Sequence, residues 1–219
     1  MRIITKSAPA FFVGLLFCSF CAPSFASPQI EYGNLGAIVN NGDQCDPDSV
    51  YSALQSQIGI VPPVDLVVRG IGARIPFKVE ENREVGTHGF TRDGGGKFHG
   101  GTDLVSDIGE AVLAVADGEI VAAVNSQGKF GNYIILRSSV IVPPALPCAV
   151  DIVYAHLSAI EITSGQVLSG QTIGRVGRSG NLGDGIPTHL HIELWTTPYA
   201  GGLQNRILFT RDIMTLFEW

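Results

Sequence analysis

This 219-residue chain lacks several things that would place it quickly. Its longest apolar run, from Ala8 to Cys21, is shorter than the ~18 or more residues a spanning helix needs, so no membrane anchor is expected. Cysteine is scarce: there are four, and Cys18 and Cys21 lie within that run. The remaining two, Cys45 and Cys148, are too few for a closed structural zinc site built on cysteines. Positive charge is outweighed, with 14 Lys and Arg against 20 Asp and Glu, a balance that disfavours nucleic acid and anionic lipid as partners. No His-Glu-x-x-His helix is present. The glycine run Asp93-Gly94-Gly95-Gly96-Lys97-Phe98 fails as a phosphate loop, because Thr91 stands five residues before Gly96 and Phe98 occupies the place of the magnesium-binding Ser or Thr.

What is present begins with an export pattern. Arg2 and Lys6 precede the apolar run, and Pro23 and Ser24-Phe25-Ala26 follow it as a small-x-small cleavage signature, so residues 1–26 read as a secretory signal peptide. Phe17 and Phe20 precede the two leader cysteines, which argues against a lipidated cysteine. Cleavage would remove two cations and no acid, leaving the mature chain more acidic still. In the oxidising compartment that export implies, periplasmic or extracellular, Cys45 and Cys148 are expected to form a disulfide.

Residues 27–64 form a weakly patterned arm, with turn signals at Asn40-Asn41-Gly42-Asp43 and a short helix expected over Asp48 to Ile58, capped by Asp46 or Asp48. Pro62-Pro63 closes the arm, and a domain over 65–219 follows. There the pattern is one of short strands between glycine-rich turns: Arg74 to Lys78, Ala111 to Ala116, Glu119 to Asn125, Tyr133 to Ser138, Asp151 to His156, Thr172 to Val176 and Thr188 to Thr196. Asp117-Gly118 reads as a hairpin turn. Ile141 to Ala149, with three prolines, reads as an ordered surface loop carrying Cys148, and Asp93 to Phe98 as a mobile rim loop. The fold class is mainly β, an antiparallel sheet or sandwich.

Chemistry concentrates in two places. In Thr188 to Leu194 polar and apolar residues alternate, so His189, His191 and Glu193 share one strand face while Leu190, Ile192 and Leu194 share the other. His99-Gly100-Gly101-Thr102-Asp103 adds a histidine and a carboxylate in a turn whose glycines allow close backbone approach. With one of the two strand histidines this makes a two-His, one-carboxylate set, the pattern of a catalytic zinc site with a position left for water. Mononuclear iron oxygenases use a similar triad, but no signal for a cosubstrate site accompanies it. His156 ends a strand and is a further candidate, whereas His88 reads as a solvated loop residue.

His99-x-x-x-Asp103, Tyr154-Ala155-His156-Leu157-Ser158, Gly165-Gln166-Val167, Gly170-Gln171-Thr172-Ile173-Gly174, Gly180 and His189-Leu190-His191-Ile192-Glu193-Leu194 occur in this order. Together they resemble the lysostaphin-type zinc metalloendopeptidases, which cut peptidoglycan cross-links. The resemblance covers roughly Arg69 to Trp195, with Arg69 to Pro76 similar to the family's opening segment. It implies a core of the duplicated hybrid motif type with glycine-rich loops around a metal groove. It also implies zinc held by His99, Asp103 and His191, with His156 and His189 assisting catalysis and Glu193 in a supporting role. The alternative it carries is a non-catalytic peptidoglycan-binding module or activator of a cell-wall amidase. The chain departs from the pattern in the longer lead Asn181 to Thr188 before the histidines, and none of the family's frequent wall-binding modules is recognisable.

Overall fold

The computed structural model describes residues 45–56, 86–143, 146–180 and 182–217, and the backbone at 78–79 and 83–84. The expected leader, most of the arm with its Pro62-Pro63 boundary, the segment Arg69 to Pro76 and Asn181 lie outside the described residues. In chain order the strands are β1 (Lys78–Val79), β2 (Arg83–Glu84), β3 (Gly89–Arg92), β4 (Lys97–His99), β5 (Thr102–Val105), β6 (Ala111–Leu113) and β7 (Gly118–Val124). There follow β8 (Asn132–Val142), β9 (Leu146–Ile160), β10 (Gly165–Val167), β11 (Thr172–Val176), β12 (His189–Trp195) and β13 (Thr210–Arg211). Helix α1 (Pro47–Ser56) precedes the strands, and α2 (Leu203–Phe209) lies between β12 and β13.

Nine of these strands form one antiparallel sheet around β9. Along one edge β9 pairs with β8, from Asn132 opposite Leu157 to Val142 opposite Leu146. Its other edge is shared: β12 pairs with Asp151 to Ala155, and β11 with Leu157 to Ile160. Beyond β8 lie β7 and then β10; beyond β11 lies β6; β5 and β13 pair with β12. The strand period of two sorts the side chains. Ile134, Leu136, Ile152, Tyr154, Leu190, Ile192 and Leu194 enter the main core. Their alternates Ile135, Val153 and Trp195 build a second cluster with Phe130, Tyr133, Tyr199 and Phe209. Asp151 is fully buried but receives two 2.7 Å hydrogen bonds from Arg137 and one of 2.8 Å from the Tyr199 N–H, partners that a buried carboxylate requires.

Several local expectations are corrected. The described residues of Ile141 to Ala149 are not a surface loop: β8 reaches Val142 and β9 begins at Leu146, paired with each other, because Val140, Val142, Cys148 and Val150 alternate inward. Pro147 faces out on a stretch of β9 that, among the described residues, pairs along one edge alone, the kind of position where a sheet tolerates proline. Asp117-Gly118 is no hairpin turn, since β6 pairs with β11 while β7 pairs with β8 and β10. Gly118 instead packs where a Cβ would lie 2.3 Å from the Arg137 carbonyl oxygen. Asp93 to Phe98 is the turn and second strand of the β3–β4 hairpin. Helix α2 carried no periodicity long enough to be expected.

Cys45 and Cys148 form a disulfide that closes a separation of 103 residues. It anchors α1, whose amide N–H groups at Asp48 and Ser49 donate to the Asp46 carboxylate and whose Val50, Ala53 and Leu54 enter the main core. Tyr51 donates to the Asp212 carbonyl at 2.9 Å, and Arg211 meets Asp48 at 2.7 Å, so α1 also braces the segment after β13. A Cys45→Ser, Cys148→Ser double variant should lose about 2–5 kcal/mol of unfolding free energy. Denaturant titration of both proteins checks this; an unchanged midpoint would refute a stabilising role.

Candidate metal centre

Four separate pieces of chain deliver the site. β12 pairs with β5 so that His191 lies opposite Asp103 and Leu190 opposite Leu104, which sets the histidine and carboxylate side by side across one ladder rung. β4 ends in His99 and turns directly into β5 through Gly100-Gly101. A Cβ at Gly101 would sit 2.3 Å from the Ile192 carbonyl oxygen, and one at Gly100 2.7 Å from Arg206. Only bare backbone fits there, and this brings His99 against β12. His156 arrives from β9 with φ of 64°, a left-handed conformation uncommon for a side-chain-bearing residue and typical of functional sites. Its N–H donates to the Phe130 carbonyl at 2.9 Å, and the neighbouring ladders to β8 and β11 shift register around it, so the irregularity re-aims the ring.

The four rings are buried, and their outer nitrogens are spoken for. His99 Nδ1 donates to the Thr87 carbonyl at 3.0 Å, His156 Nδ1 to the Ser179 carbonyl at 3.0 Å, and His189 Nδ1 to the Pro187 carbonyl at 2.9 Å. A carbonyl only accepts, so each of these nitrogens carries the proton, leaving Nε2 as the lone-pair nitrogen. His191 is turned the other way: Nδ1 lies 2.7 Å from Asp103 Oδ1, and Nε2 3.1 Å from Glu193 Oε1. Glu193, itself 1% exposed, also accepts from the Trp195 indole at 2.8 Å and meets Arg206 Nε at 2.9 Å. Arg206 in turn lies over the Phe130 ring, 4.8 Å from its centroid.

Charge follows from these contacts. Burial opposes ionisation of Asp103, but hydrogen bonds from His191 and His99 outweigh it and hold the carboxyl well below its usual range. Burial likewise opposes a charged His191, yet the Asp103 and Glu193 carboxylates push it up to about 9. For His156 burial, together with the neighbouring His191 and His189, outweighs the Ser179 carbonyl and the Asp103 carboxylate and drives it down to about 3. Burial also lowers His99 and His189. His156 and His189 are therefore neutral rings, 4.9 Å apart between centroids, beside an ionised carboxylate.

His99 Nε2, Asp103 Oδ1 and His191 Nδ1 are separated by 3.1, 2.7 and 3.3 Å. Three donors about 2.0–2.1 Å from a tetrahedral zinc stand about 3.3 Å apart, so this triangle fits one face of such a coordination sphere. These three residues could hold a metal ion. The donor set expected from sequence is thus brought together, and His156 and His189 stand at its margin. His88 does not fit the solvated reading: it is half-buried, hydrogen-bonded to Thr210 Oγ1 at 2.9 Å and edge-on to Phe98. Arg92, Lys129, Phe130 and Arg206 also line the groove over the site, a cavity of about 920 Å³, and sequence reasoning passed over all four. A lone arginine in a loop carries no motif; a register of β3 on β4 was needed to see Arg92. No described residue of the arm lines this groove.

An antiparallel sheet with a buried three-donor face and two neutral histidines at its rim defines a candidate mononuclear metal centre. Residues 97–203 match the model of Peptidase family M23. It is 33% identical over 97 residues to the DD-carboxypeptidase/endopeptidase Mpg of Neisseria meningitidis, covering 44% of this chain and 20% of that protein. It is 36% identical over 97 residues to the peptidoglycan DD-endopeptidase ShyA of Vibrio cholerae, with the same shares. The chain thus spans about a fifth of the length of these curated relatives. Among solved structures, the catalytic domain of lysostaphin from Staphylococcus simulans is 26% identical with a TM-score of 0.45, covering 59% of this chain and 86% of that one.

Because Glu193 fixes the His191 ring from behind, Glu193→Gln should weaken Zn²⁺ binding about 10–100-fold, the usual cost of losing such an outer partner. Competition against a chromophoric chelator measures it, with circular dichroism as the fold control; unchanged affinity would leave Glu193 a purely structural residue.

Proposed function

We propose that this protein is an exported zinc-dependent endopeptidase that hydrolyses peptide cross-links or stems of bacterial peptidoglycan. The observation that carries the reading is the donor triangle of His99, Asp103 and His191 with two neutral histidines beside it, inside the segment matched to the M23 peptidase family. The names of the Neisseria and Vibrio relatives support the substrate class. In this reading residues 1–26 are an export signal, 27–64 an arm stapled by Cys45–Cys148, and 65–219 the peptidase domain, acting in the periplasm or outside the cell.

His99 and Asp103 would hold zinc through Nε2 and Oδ1, and His191 through Nδ1. A zinc ion there supplies Lewis acidity, polarising the scissile carbonyl and lowering the pKa of water. The rest falls to the chain. His156 and His189, each anchored at Nδ1 by a main-chain carbonyl, present Nε2 to the groove, where one takes the proton of the attacking water and returns it to the leaving amine. The other, close to the developing oxyanion, stabilises it by a hydrogen bond once protonated. Phe130, against the His191 ring at 5.4 Å, covers one side of the donor set and limits water there. The guanidinium of Arg92 lies 2.8 Å from Asp103 Oδ2, orienting the carboxylate so that Oδ1 faces the histidines.

Purified protein with Zn²⁺ should release new muropeptides from sacculi, detected by mass spectrometry, and a chelator should abolish this. His156→Ala and His189→Ala should each lower turnover by about 10²–10⁴-fold while retaining zinc. No muropeptide change, with wild type and His191→Ala identical, would overturn the proposal. Stimulation of a partner hydrolase surviving loss of His156 and His189 would instead identify an amidase activator, and iron in protein purified without chelators would favour an oxygenase. Since His191 keeps a proton up to about pH 9 and zinc must displace it, zinc affinity should rise with pH through the neutral range and level off above about 9. Competition titrations at stepped pH check this, and a flat profile would contradict it.

A further inference from the structure

The three donors are not carried by one sheet. Asp103 and His191 stand on β5 and β12 of the nine-stranded sheet, whereas His99 ends β4, which pairs with β3 in a two-stranded sheet of its own. Gly100-Gly101 joins the two as covalent chain, but glycines form a permissive link, and a donor set must be held to within about 0.5 Å to bind its metal well. Arg92 bridges hairpin and sheet at the donors themselves. A second bridge lies behind them, in the three residues that lead into β3. The Gly86 carbonyl accepts from the Asp103 N–H at 2.8 Å, and the Thr87 carbonyl accepts from His99 Nδ1 at 3.0 Å. Consecutive carbonyls thus address two of the three donor residues, one by its main chain and one by its ring.

His88 anchors this segment. Its Nε2 lies 2.9 Å from Thr210 Oγ1, and that hydroxyl donates its proton to the Arg206 carbonyl at 2.7 Å. The hydroxyl can then only accept from His88, so Nε2 of His88 carries a proton and donates. Thr210 is 1% exposed and belongs to β13, which pairs with β12 through Trp195. The same imidazole meets the Phe98 ring edge-on, with centroids 5.3 Å apart. One side chain therefore spans the hairpin that carries His99 and the sheet that carries His191. Both His88 and Thr210 lie outside residues 97–203, the segment matched by the family model.

We propose that His88 is a positioning residue of the metal centre: through Thr210 it fastens residues 86–88 to β13 and so sets the Thr87 carbonyl that orients His99. This rests on the zinc reading above and deepens it. His88 acts on the donors through the main chain. Without the Thr210 link the Thr87 carbonyl loses its set place, and with it goes the acceptor that keeps the proton of His99 on Nδ1 and the lone pair of Nε2 turned toward Asp103 and His191. Metal affinity then falls, as it does when other partners behind a ligating histidine are removed.

The test measures Zn²⁺ affinity of the purified chain by chelator competition. His88→Ala should weaken it about tenfold, the lower end of the cost of losing such a partner. Thr210→Val, which keeps the shape of the side chain but not its hydroxyl, should match that loss. His88→Gln, whose amide N–H reaches the same hydroxyl, and Thr210→Ser should recover most of the affinity. The double variant His88→Ala, Thr210→Val should lose no more than either single one, because both remove the same link. Two further readouts separate positioning from a general loosening of the fold. The visible absorption of Co²⁺ bound in place of zinc should change in His88→Ala and return in His88→Gln. In the metal-free protein, nitrogen NMR of the imidazoles should place the proton of His99 on Nδ1 in the wild type and spread it over both nitrogens in His88→Ala. Unchanged affinity and spectra in His88→Ala would overturn the proposal and leave the metal centre standing. So would losses that add in the double variant, or a loss that His88→Gln shares in full. A wild type that binds no Zn²⁺ would overturn the zinc reading instead, and the His99 tautomer in the metal-free protein would then decide the role of His88 alone.

Discussion

The centre of this molecule depends on one buried negative charge. Asp103 is 1% exposed, and an isolated carboxylate at that depth would carry a large desolvation cost. It remains ionised because the β5–β12 register sets it opposite His191, and because His99 and Arg92 close over its oxygens. Every other feature of the site can be traced to keeping that arrangement. The twin glycines let β4 reach β12, the Glu193 carboxylate offsets the proton on the far side of His191, and Arg206 and Trp195 offset Glu193. Alternating charges run outward from the centre to Phe130 and α2, which is why the element after β12 belongs to the site although it holds no ligand.

Legibility in the sequence tracked the range of the interaction. The face shared by His189, His191 and Glu193 was readable because a strand's period is local, and Leu190, Ile192 and Leu194 do enter the core. His99-Gly100-Gly101-Thr102-Asp103 was readable for the same reason: glycines signal close backbone approach, and their missing Cβ atoms are indeed replaced by Ile192 and Arg206. Pairings were harder. Asp117-Gly118 has the composition of a hairpin turn, but the partners of β6 and β7 are chosen by strands far along the chain. The prolines around Cys148 suggested a loop, yet inward alternation of valines overrode them.

Which of the two strand histidines joins the donor set was open to composition and periodicity. The geometry separates them by ring orientation. His191 directs Nδ1 at Asp103 from 2.7 Å, while His189 reaches the same oxygen only at 3.6 Å and ties its own Nδ1 to Pro187. Arg92 and Arg206 had no local signature at all, since each acts through contacts with residues on another element of the fold.

The main-chain tethers on His99, His156 and His189 have a consequence for how such a centre tolerates change. Thr87, Ser179 and Pro187 contribute only carbonyl oxygens to these rings. Their side chains are bystanders to the protonation pattern, so the tautomer of each imidazole is inherited from the backbone trace. Relatives can drift at those three positions and keep the same inventory of lone pairs, provided the loops keep their path. His191 is the exception, held by the side chains of Asp103 at Nδ1 and Glu193 at Nε2, and there side-chain identity decides which nitrogen faces inward.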